Sequence, residues 1–208
     1  ERISQLQLEP QGEVFVAAIY SAGIALLEQT KEAFEQQYSQ VKIRLSYDRP
    51  EEVYQSVLDQ DCELGILSYP QHWRGVGVIP LRQEPMAVVC RPDHPLAKFK
   101  QVHASQLSPW SMDTFESSLP VGRRIRHYLR DQGAHPKIGN TFDNIDTIKS
   151  AVAVTDRITI LPIHTVTREV ASGSLCLIDL EPQLVRPLGI IYKRSSKLRR
   201  PFRHVAQV

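Results

Sequence analysis

This sequence of 208 residues is poor in several things that would announce a function. It has only three cysteines, Cys62, Cys90 and Cys176. They are widely spaced and form no Cys-x-x-Cys pair, which argues against both a disulfide framework and a zinc site and favours small buried hydrophobes in a reducing compartment. No apolar run approaches the roughly 20 residues that a membrane-spanning helix needs. The first ten residues, ERISQLQLEP, lack the basic start and apolar core of a secretory signal. A cytoplasmic location without membrane attachment is therefore expected. No His-Glu-x-x-His, Gly-x-Ser-x-Gly, P-loop or dinucleotide-binding glycine pattern occurs, and the seven histidines are dispersed. These absences lead us to expect no metal, no cofactor and no enzyme activity.

Acidic residues are absent from one stretch. From Pro182 to Val208 there are seven basic residues, Arg186, Lys193, Arg194, Lys197, Arg199, Arg200 and Arg203, and no acidic one. The rest of the chain holds 18 basic and 23 acidic residues, so its body is not that of a nucleic-acid-binding protein. The tail has neither a helix-turn-helix pattern nor interleaved aromatics. A solvated terminal helix is expected there.

What is present is a regular alternation of strand and helix patterns, the signature of βα units and a mostly parallel sheet. Val14 to Ile19 reads as a strand, followed by Tyr20-Ser21-Ala22-Gly23 and a helix with Ile24, Leu27, Phe34 and Tyr38 on one side. Val41, Ile43 and Leu45 alternate with polar residues as a second strand. Asp48 or Arg49 then stands near a helix cap, with Pro50 at a tolerated first-turn position, and that helix runs through Val53, Tyr54, Val57 and Leu58. Leu64 to Leu67 is a third strand and Val76 to Leu81 a fourth; Gln83-Glu84-Pro85 reads as a break, with a crossing between lobes, before a strand Met86 to Cys90. Arg91 to Ala97, with two prolines, is a rigid turn. A helix over 122–132 should place Ile125, Tyr128 and Leu129 inward and end at Gly133. A strand about Ile138, a helix near 163–172 ending at Gly173, and strands Leu175 to Ile178 and Leu188 to Tyr192 follow.

Residues 141–163 are the most telling. Either Asp143 or Asn144 can cap a helix by accepting a hydrogen bond from a first-turn amide. Ile145, Ile148 and Val152 repeat at helical spacing, and Ile158, Ile160 and Leu161 form a β-branched strand that Pro162 ends. This stretch resembles the effector-binding domain of LysR-type transcriptional regulators. Residues 12–38 resemble that family's first strand, ligand loop and helix. Leu58 to Leu67 resembles its L-x-x-G-x-L-D-x-G-I segment, Arg91 to Ala97 its P-x-x-H-P-L-A turn, and Arg186 to Tyr192 its ending. The resemblance spans about residues 12–205. It departs from the family at Thr155-Asp156-Arg157, where Gly-x-Gly is frequent, so that turn must differ or hold a non-glycine left-handed residue. It departs again at Asp61-Cys62, which replace a frequent glycine.

The resemblance implies an α/β fold of two Rossmann-like lobes around a ligand cleft, as in type 2 periplasmic binding proteins. Lobe I would be residues 12–82 with 187–208, and lobe II residues 83–186. Residues 1–11 would end a linker to a DNA-binding domain outside this sequence, and DNA would be bound only through that domain. Effector contacts would come from strand ends and helix starts. In lobe I these are Tyr20, Ser21, Ala22, Asp48, Arg49, Ser68 and Tyr69, and in lobe II Phe115, Ser117, Ser118 and Asn144. Serine and asparagine at such positions also cap helices for purely structural reasons. The expected partner is a small-molecule effector such as a small organic acid or phosphorylated metabolite. The domain is expected to be a homodimer through helices 24–38 and 122–132, within a full-length dimer or tetramer. The alternative reading on the same architecture is a solute-binding protein of a transport system.

Overall fold

The computed structural model describes residues 11–22 and 24–194. The linker expected over residues 1–11 falls, except for Gln11, outside the described residues, as do Gly23 and the stretch beyond Arg194 where a basic terminal helix is expected. The chain divides into two compact units, residues 1–79 with 190–208, and residues 80–189.

In the first unit, strand β1 (Gly12–Ile19) leads through a 3-10 turn at Tyr20–Ala22 into helix α1 (Ile24–Gln37), then β2 (Val41–Asp48), α2 (Pro50–Asp59) and β3 (Leu64–Ser68). β1 pairs in parallel with β2 on one side and β3 on the other. The start of β4 (Val76–Cys90) and the end of β9 (Cys176–Lys193) belong to this unit too, and β9 lies between β3 and β4 in the strand order. Because strand side chains alternate between faces, Ala17 and Ile19 join Val53, Tyr54 and Val57 of α2 in one cluster. Val14, Val16, Ile43 and Phe34 of α1 form the other. The α2 start follows the expected chemistry: Pro50 is its first residue, and the Arg49 amide donates to Glu52 Oε2 at 3.0 Å. Its end uses Gln60 in the left-handed region, φ 67°, with the Asp61 amide donating to the Ser56 carbonyl at 2.9 Å. A non-glycine thus supplies the turn ahead of Asp61-Cys62.

The second unit holds the rest of β4, β5 (Gln101–His103), β6 (Ser111–Phe115), α3 (Pro120–Asp131), β7 (Lys137–Phe142), α4 (Ile145–Ala153), β8 (Thr159–Pro162), α5 (Thr167–Ala171) and most of β9. β6 pairs in parallel with β7, β5 in parallel with β9, and β4 antiparallel with β8. Its core contains Met86, Val88, Leu107, Met112, Ile125, Ile148 and Ile160.

Several expectations are corrected here. Gln83-Glu84-Pro85 is no break, since β4 runs unbroken from Val76 to Cys90. Proline has an extended φ and forfeits only one ladder donor, and Glu84 turns inward, 3% exposed, against arginine partners. Similarly, the strands expected at 175–178 and 188–192 are one strand, β9, continuous through Pro182 and Pro187. The helix expected near 163–172 is a 3-10 turn at Ile163–Val166 followed by the short α5, with Gly173 at φ 72° closing it. α3 starts at Pro120, two residues early, because proline suits a first helical position. β6 was not foreseen. At Thr155–Arg157 no residue is left-handed; the Thr155 hydroxyl instead donates to the Ala151 carbonyl at 2.9 Å and ends α4.

Candidate functional site

Parallel pairing brings the first group of nominated residues together. Ile19 faces Asp48, and Ala18 faces Ile66, so the carboxyl ends of β1, β2 and β3 reach the same edge of the first unit. Tyr20–Ala22, Asp48–Arg49 and Ser68–Tyr69 all follow these ends. Tyr20 is 46% exposed and stacks on Tyr47 with ring centroids 6.1 Å apart. Asp48 Oδ2 accepts the Ser46 hydroxyl at 3.0 Å. Arg49 is exposed, Ser21 half-buried and Ser68 buried. Tyr69 sits at φ 50°, a conformation that is costly for a tyrosine and bends the chain sharply off β3. The loop beyond it is pinned to α2: the Tyr54 hydroxyl accepts the Gln71 amide at 2.6 Å, and Trp73 stacks on Tyr54 at 4.4 Å.

The second group gathers at one end of the β6–β7 pair. Phe115 faces Phe142, and the Glu116 amide donates to the Phe142 carbonyl at 2.9 Å. This places Ser117 and Ser118 beside the entrance to α4. The Ser118 hydroxyl donates to Glu116 Oε2 at 3.0 Å, and Arg123 Nη1 donates to the carbonyls of Ser117 and Ser118. Gly122 is required here, because a Cβ would lie 2.2 Å from the Glu116 carbonyl oxygen. Of the two cap candidates it is Asn144 that caps α4, its Oδ1 accepting from the Asp146 amide at 2.8 Å and the Thr147 amide at 3.4 Å. That leaves its Nδ2 group available to donate elsewhere.

Two nominations change character. Phe115 is 2% exposed and Ala22 1%; both side chains are core, and these residues offer a ligand only main-chain atoms. The helix starts also differ in charge. α2 has Glu51 and Glu52 in its first turn and α4 has Asp146, whereas the first turn of α3 carries no acid and includes Arg123. Carboxylates in a first turn offset the helix dipole that would otherwise favour an anion.

A buried charge cluster in the second unit escaped sequence reasoning. Glu84 is held by Arg186, whose Nε donates to Oε2 at 2.8 Å, and by Arg82, whose Nε donates to Oε1 at 2.8 Å. His164 Nδ1 lies 3.3 Å from the same Oε1. Arg186 is fully buried. Its only trace in the sequence is charge inside otherwise strand-like runs. Asp113 is fully buried too, accepting the Asn140 amide at 2.8 Å and facing Arg157 Nη1 at 3.3 Å.

The cysteines are free. Burial pushes the Cys62 thiol up to about 11 and the Cys90 thiol to about 12, which leaves little thiolate for chemistry. Among the described residues no group of three or more histidine, cysteine or carboxylate side chains is placed to hold a metal ion, and no helix is long and apolar enough to cross a membrane.

The chain is 27% identical over 202 residues to the SDS degradation transcriptional activation protein of a Pseudomonas strain, covering 93% of this chain and 62% of that protein. It is 23% identical over 207 residues to a hydrogen peroxide-inducible genes activator of Pectobacterium carotovorum, covering 99% of this chain and 68% of the relative. The chain thus spans about three fifths of the length of the first of these relatives. Among solved structures, the effector-binding domain of QuiR in complex with shikimate superposes with a TM-score of 0.83 at 18% identity, covering 95% of this chain and 96% of that one. The regulatory domain of Synechocystis CcmR in complex with 2-PG gives a TM-score of 0.84 at 20% identity, covering 95% of each chain. These likenesses show the periplasmic-binding-protein-like α/β fold. The family model described as the LysR substrate binding domain matches residues 7–208, and the chain belongs to that family.

Proposed function

We propose that this domain senses a small molecule for a LysR-type transcriptional regulator, through the strand-end loops of the first unit and the helix starts of the second. The observation that carries this reading is the convergence of three parallel strand ends on Tyr20–Ala22, Asp48–Arg49 and Ser68–Tyr69, in a chain whose family match runs from residue 7 to 208. In open parallel sheets, ligands bind beyond the carboxyl ends of strands. Ser21, Ser68, Ser117 and Ser118 supply hydroxyls, Arg49 one exposed cation, and Asn144 an amide that caps α4 with its oxygen and keeps its nitrogen for the ligand. Hydroxyls and a single arginine suit a small organic acid or phosphorylated metabolite. The acids in the first turns of α2 and α4 leave the α3 entrance as the natural place for the anionic end. Lobe I, residues 12–82 with 187–208, and lobe II, residues 83–186, are the bodies whose arrangement the effector biases. A tenfold bias needs about 1.4 kcal/mol of differential binding.

The relatives are regulators of transcription, not enzymes or transport proteins, and this disfavours the solute-binding alternative. DNA is bound by an N-terminal domain joined through residues 1–11, and the protein works in the cytoplasm. Two copies associate through α1 and α3. In support, α1 carries Glu28, Glu32 and Glu35 against Lys31, while α3 carries Arg123, Arg124, Arg126 and Arg130 against Asp131.

A thermal-shift screen against small carboxylates, phosphorylated sugars, amino acids and inorganic anions tests the reading, repeated with Ser21→Ala and Asn144→Ala. Saturable stabilisation that both substitutions weaken supports it, since a ligand specific to the native state raises stability by mass action. Stabilisation that neither changes refutes these residues as the site.

A further inference from the structure

Phe15 sits on β1, an interior strand flanked by β2 and β3, and yet it is 43% exposed. Alternation along the strand puts it on the face of Ala17, where α2 packs. In the β1–β2 register Phe15 is opposite Arg44, and Ala17 is opposite Ser46. Between these strands and the C-terminal end of α2 lies a cavity of about 230 Å³, whose lining includes Phe15, Arg44, Ser46, Ser56, Asp61 and Cys62. Sites for drug-sized ligands hold roughly 300–1,000 Å³, so the occupant of this one is small. The charges around it are unequal. Arg44 spends Nε and Nη2 on Glu13 Oε1, at 3.3 and 3.0 Å. The Asp61 carboxylate makes no hydrogen bond or ion pair among the described residues, and neither does the Ser56 hydroxyl. Glu63 follows closely in the chain, and its Oε2 accepts from the neutral Phe15 amide at 2.7 Å. α2 ends here with no basic residue in its last turn, so the negative end of its dipole adds to these carboxylates. Lys193, which donates to the Leu58 carbonyl at 2.6 Å, offsets part of this. The Cys62 thiol on the cavity wall responds to the same field: burial first, and then the carboxylates of Glu63, Asp61 and Asp48, push it up to about 11. A cleft with low-dielectric walls and charge of one sign concentrates ions of the other.

We propose that this cavity binds a small organic cation, an alkylammonium ion whose charged end pairs with Asp61 and Ser56 and whose hydrocarbon covers Phe15. The other ligand classes fit less well. An anion would meet the carboxylates of Asp61 and Glu63. An uncharged apolar molecule would take water from Asp61 and give it no partner. A bare metal ion lacks ligands, since among the described residues no group of three or more histidine, cysteine or carboxylate side chains is placed to hold one. An ammonium group brings three donors to the Asp61 carboxylate and the Ser56 hydroxyl, and its positive charge is attracted to the face of the Phe15 ring. The site lies wholly in the first unit. None of the nominated effector residues lines it, so it stands independently of the effector loops.

The test is a ¹H–¹⁵N NMR titration of the 208-residue protein with n-butylammonium chloride, and separately with sodium butyrate at equal ionic strength. Butylammonium should give saturable shifts at the amides of Phe15, Ser46, Ser56 and Cys62 and leave Ser21 and Asn144 unmoved. Butyrate, of the same length and opposite charge, should not shift the cavity amides. Asp61→Asn, which removes the charge and keeps a polar side chain, should weaken butylammonium binding about threefold or more, the scale of one solvent-screened ion pair. Asp61→Lys should abolish it. Because the Asp61 carboxylate holds no other group, both variants should melt close to wild type. Absence of saturable shifts at the cavity amides of the wild-type protein overturns the proposal. So does an equal response to butyrate, or butylammonium affinity unchanged in Asp61→Asn.

Discussion

Arg186 shows how far one side chain can run against composition. It is a fully buried cation in a strand, whose Nε and Nη2 both donate to the Glu84 carboxylate. Removing one partner leaves the other charged and unsolvated, so Glu84→Ala should cost about 3–5 kcal/mol in urea denaturation. The double change Glu84→Leu with Arg186→Met should restore much of that loss, since apolar replacement of a buried pair is often close to neutral. Two histidines make stability depend on pH. His94 and His164 both have pKa values below the ordinary one, with desolvation as the first cause. The unfolded chain protonates them near 6.5, the folded chain only at lower pH. Their contribution is therefore complete above about 6.5 and is lost as pH falls below it toward the folded values. Between pH 7 and 5 the melting temperature of wild type should drop more than that of His94→Asn/His164→Gln; equal drops would contradict this. At this scale the sequence was partly legible. Asn144 is readable as a cap because its chemistry is local, whereas Glu84 and Arg186 stand 102 residues apart and only the sheet joins them.

Among elements, helices were easier to read than strands. α2 and α4 announce themselves through Pro50, Asn144 and a helical apolar repeat. β4 and β9 hide because prolines and charges interrupt their apolar runs, yet an extended chain accommodates both once the charges are paired. β6 hides because Asp113 and Thr114, buried polar residues, break its hydrophobic pattern. The junction of β6 with α3 is the tightest element boundary. A Cβ at Gly122 would lie 2.2 Å from the Glu116 carbonyl oxygen and 2.8 Å from that of Phe115, main-chain atoms that cannot swing aside. Gly122→Ala should therefore destabilise by about 1–3 kcal/mol and displace the Ser117–Ser118 loop. At the start of α4, Asn144→Ala should cost about 1 kcal/mol through the lost cap, and Asn144→Asp, which keeps the capping oxygen, much less. Thermal denaturation of the three variants checks both statements.

For the molecule as a whole, the opposed charges of α1 and α3 should make the proposed association between copies sensitive to salt, because exposed charges are screened beyond about 8 Å at physiological ionic strength. Sedimentation should show a dimer that weakens as salt rises, and Arg123→Glu/Arg130→Glu should weaken it further; association indifferent to both would contradict the proposed α1–α3 pairing. The α/β class was legible because βα alternation is written in local periodicity, whereas a division into two lobes was implied only by the family resemblance. Which loops meet was legible only through the order of strands.

The most direct measurement of the central claim is calorimetric titration of wild type, Ser21→Ala and Asn144→Asp with whichever compound stabilises the domain in the screen. Asn144→Asp retains the α4 cap and turns the Nδ2 donor into an acceptor, so it separates binding from folding. The account predicts affinity reduced about tenfold or more in each variant, the loss of roughly one charge-assisted hydrogen bond, with unliganded melting temperatures close to wild type. Wild-type affinity in both variants would contradict it.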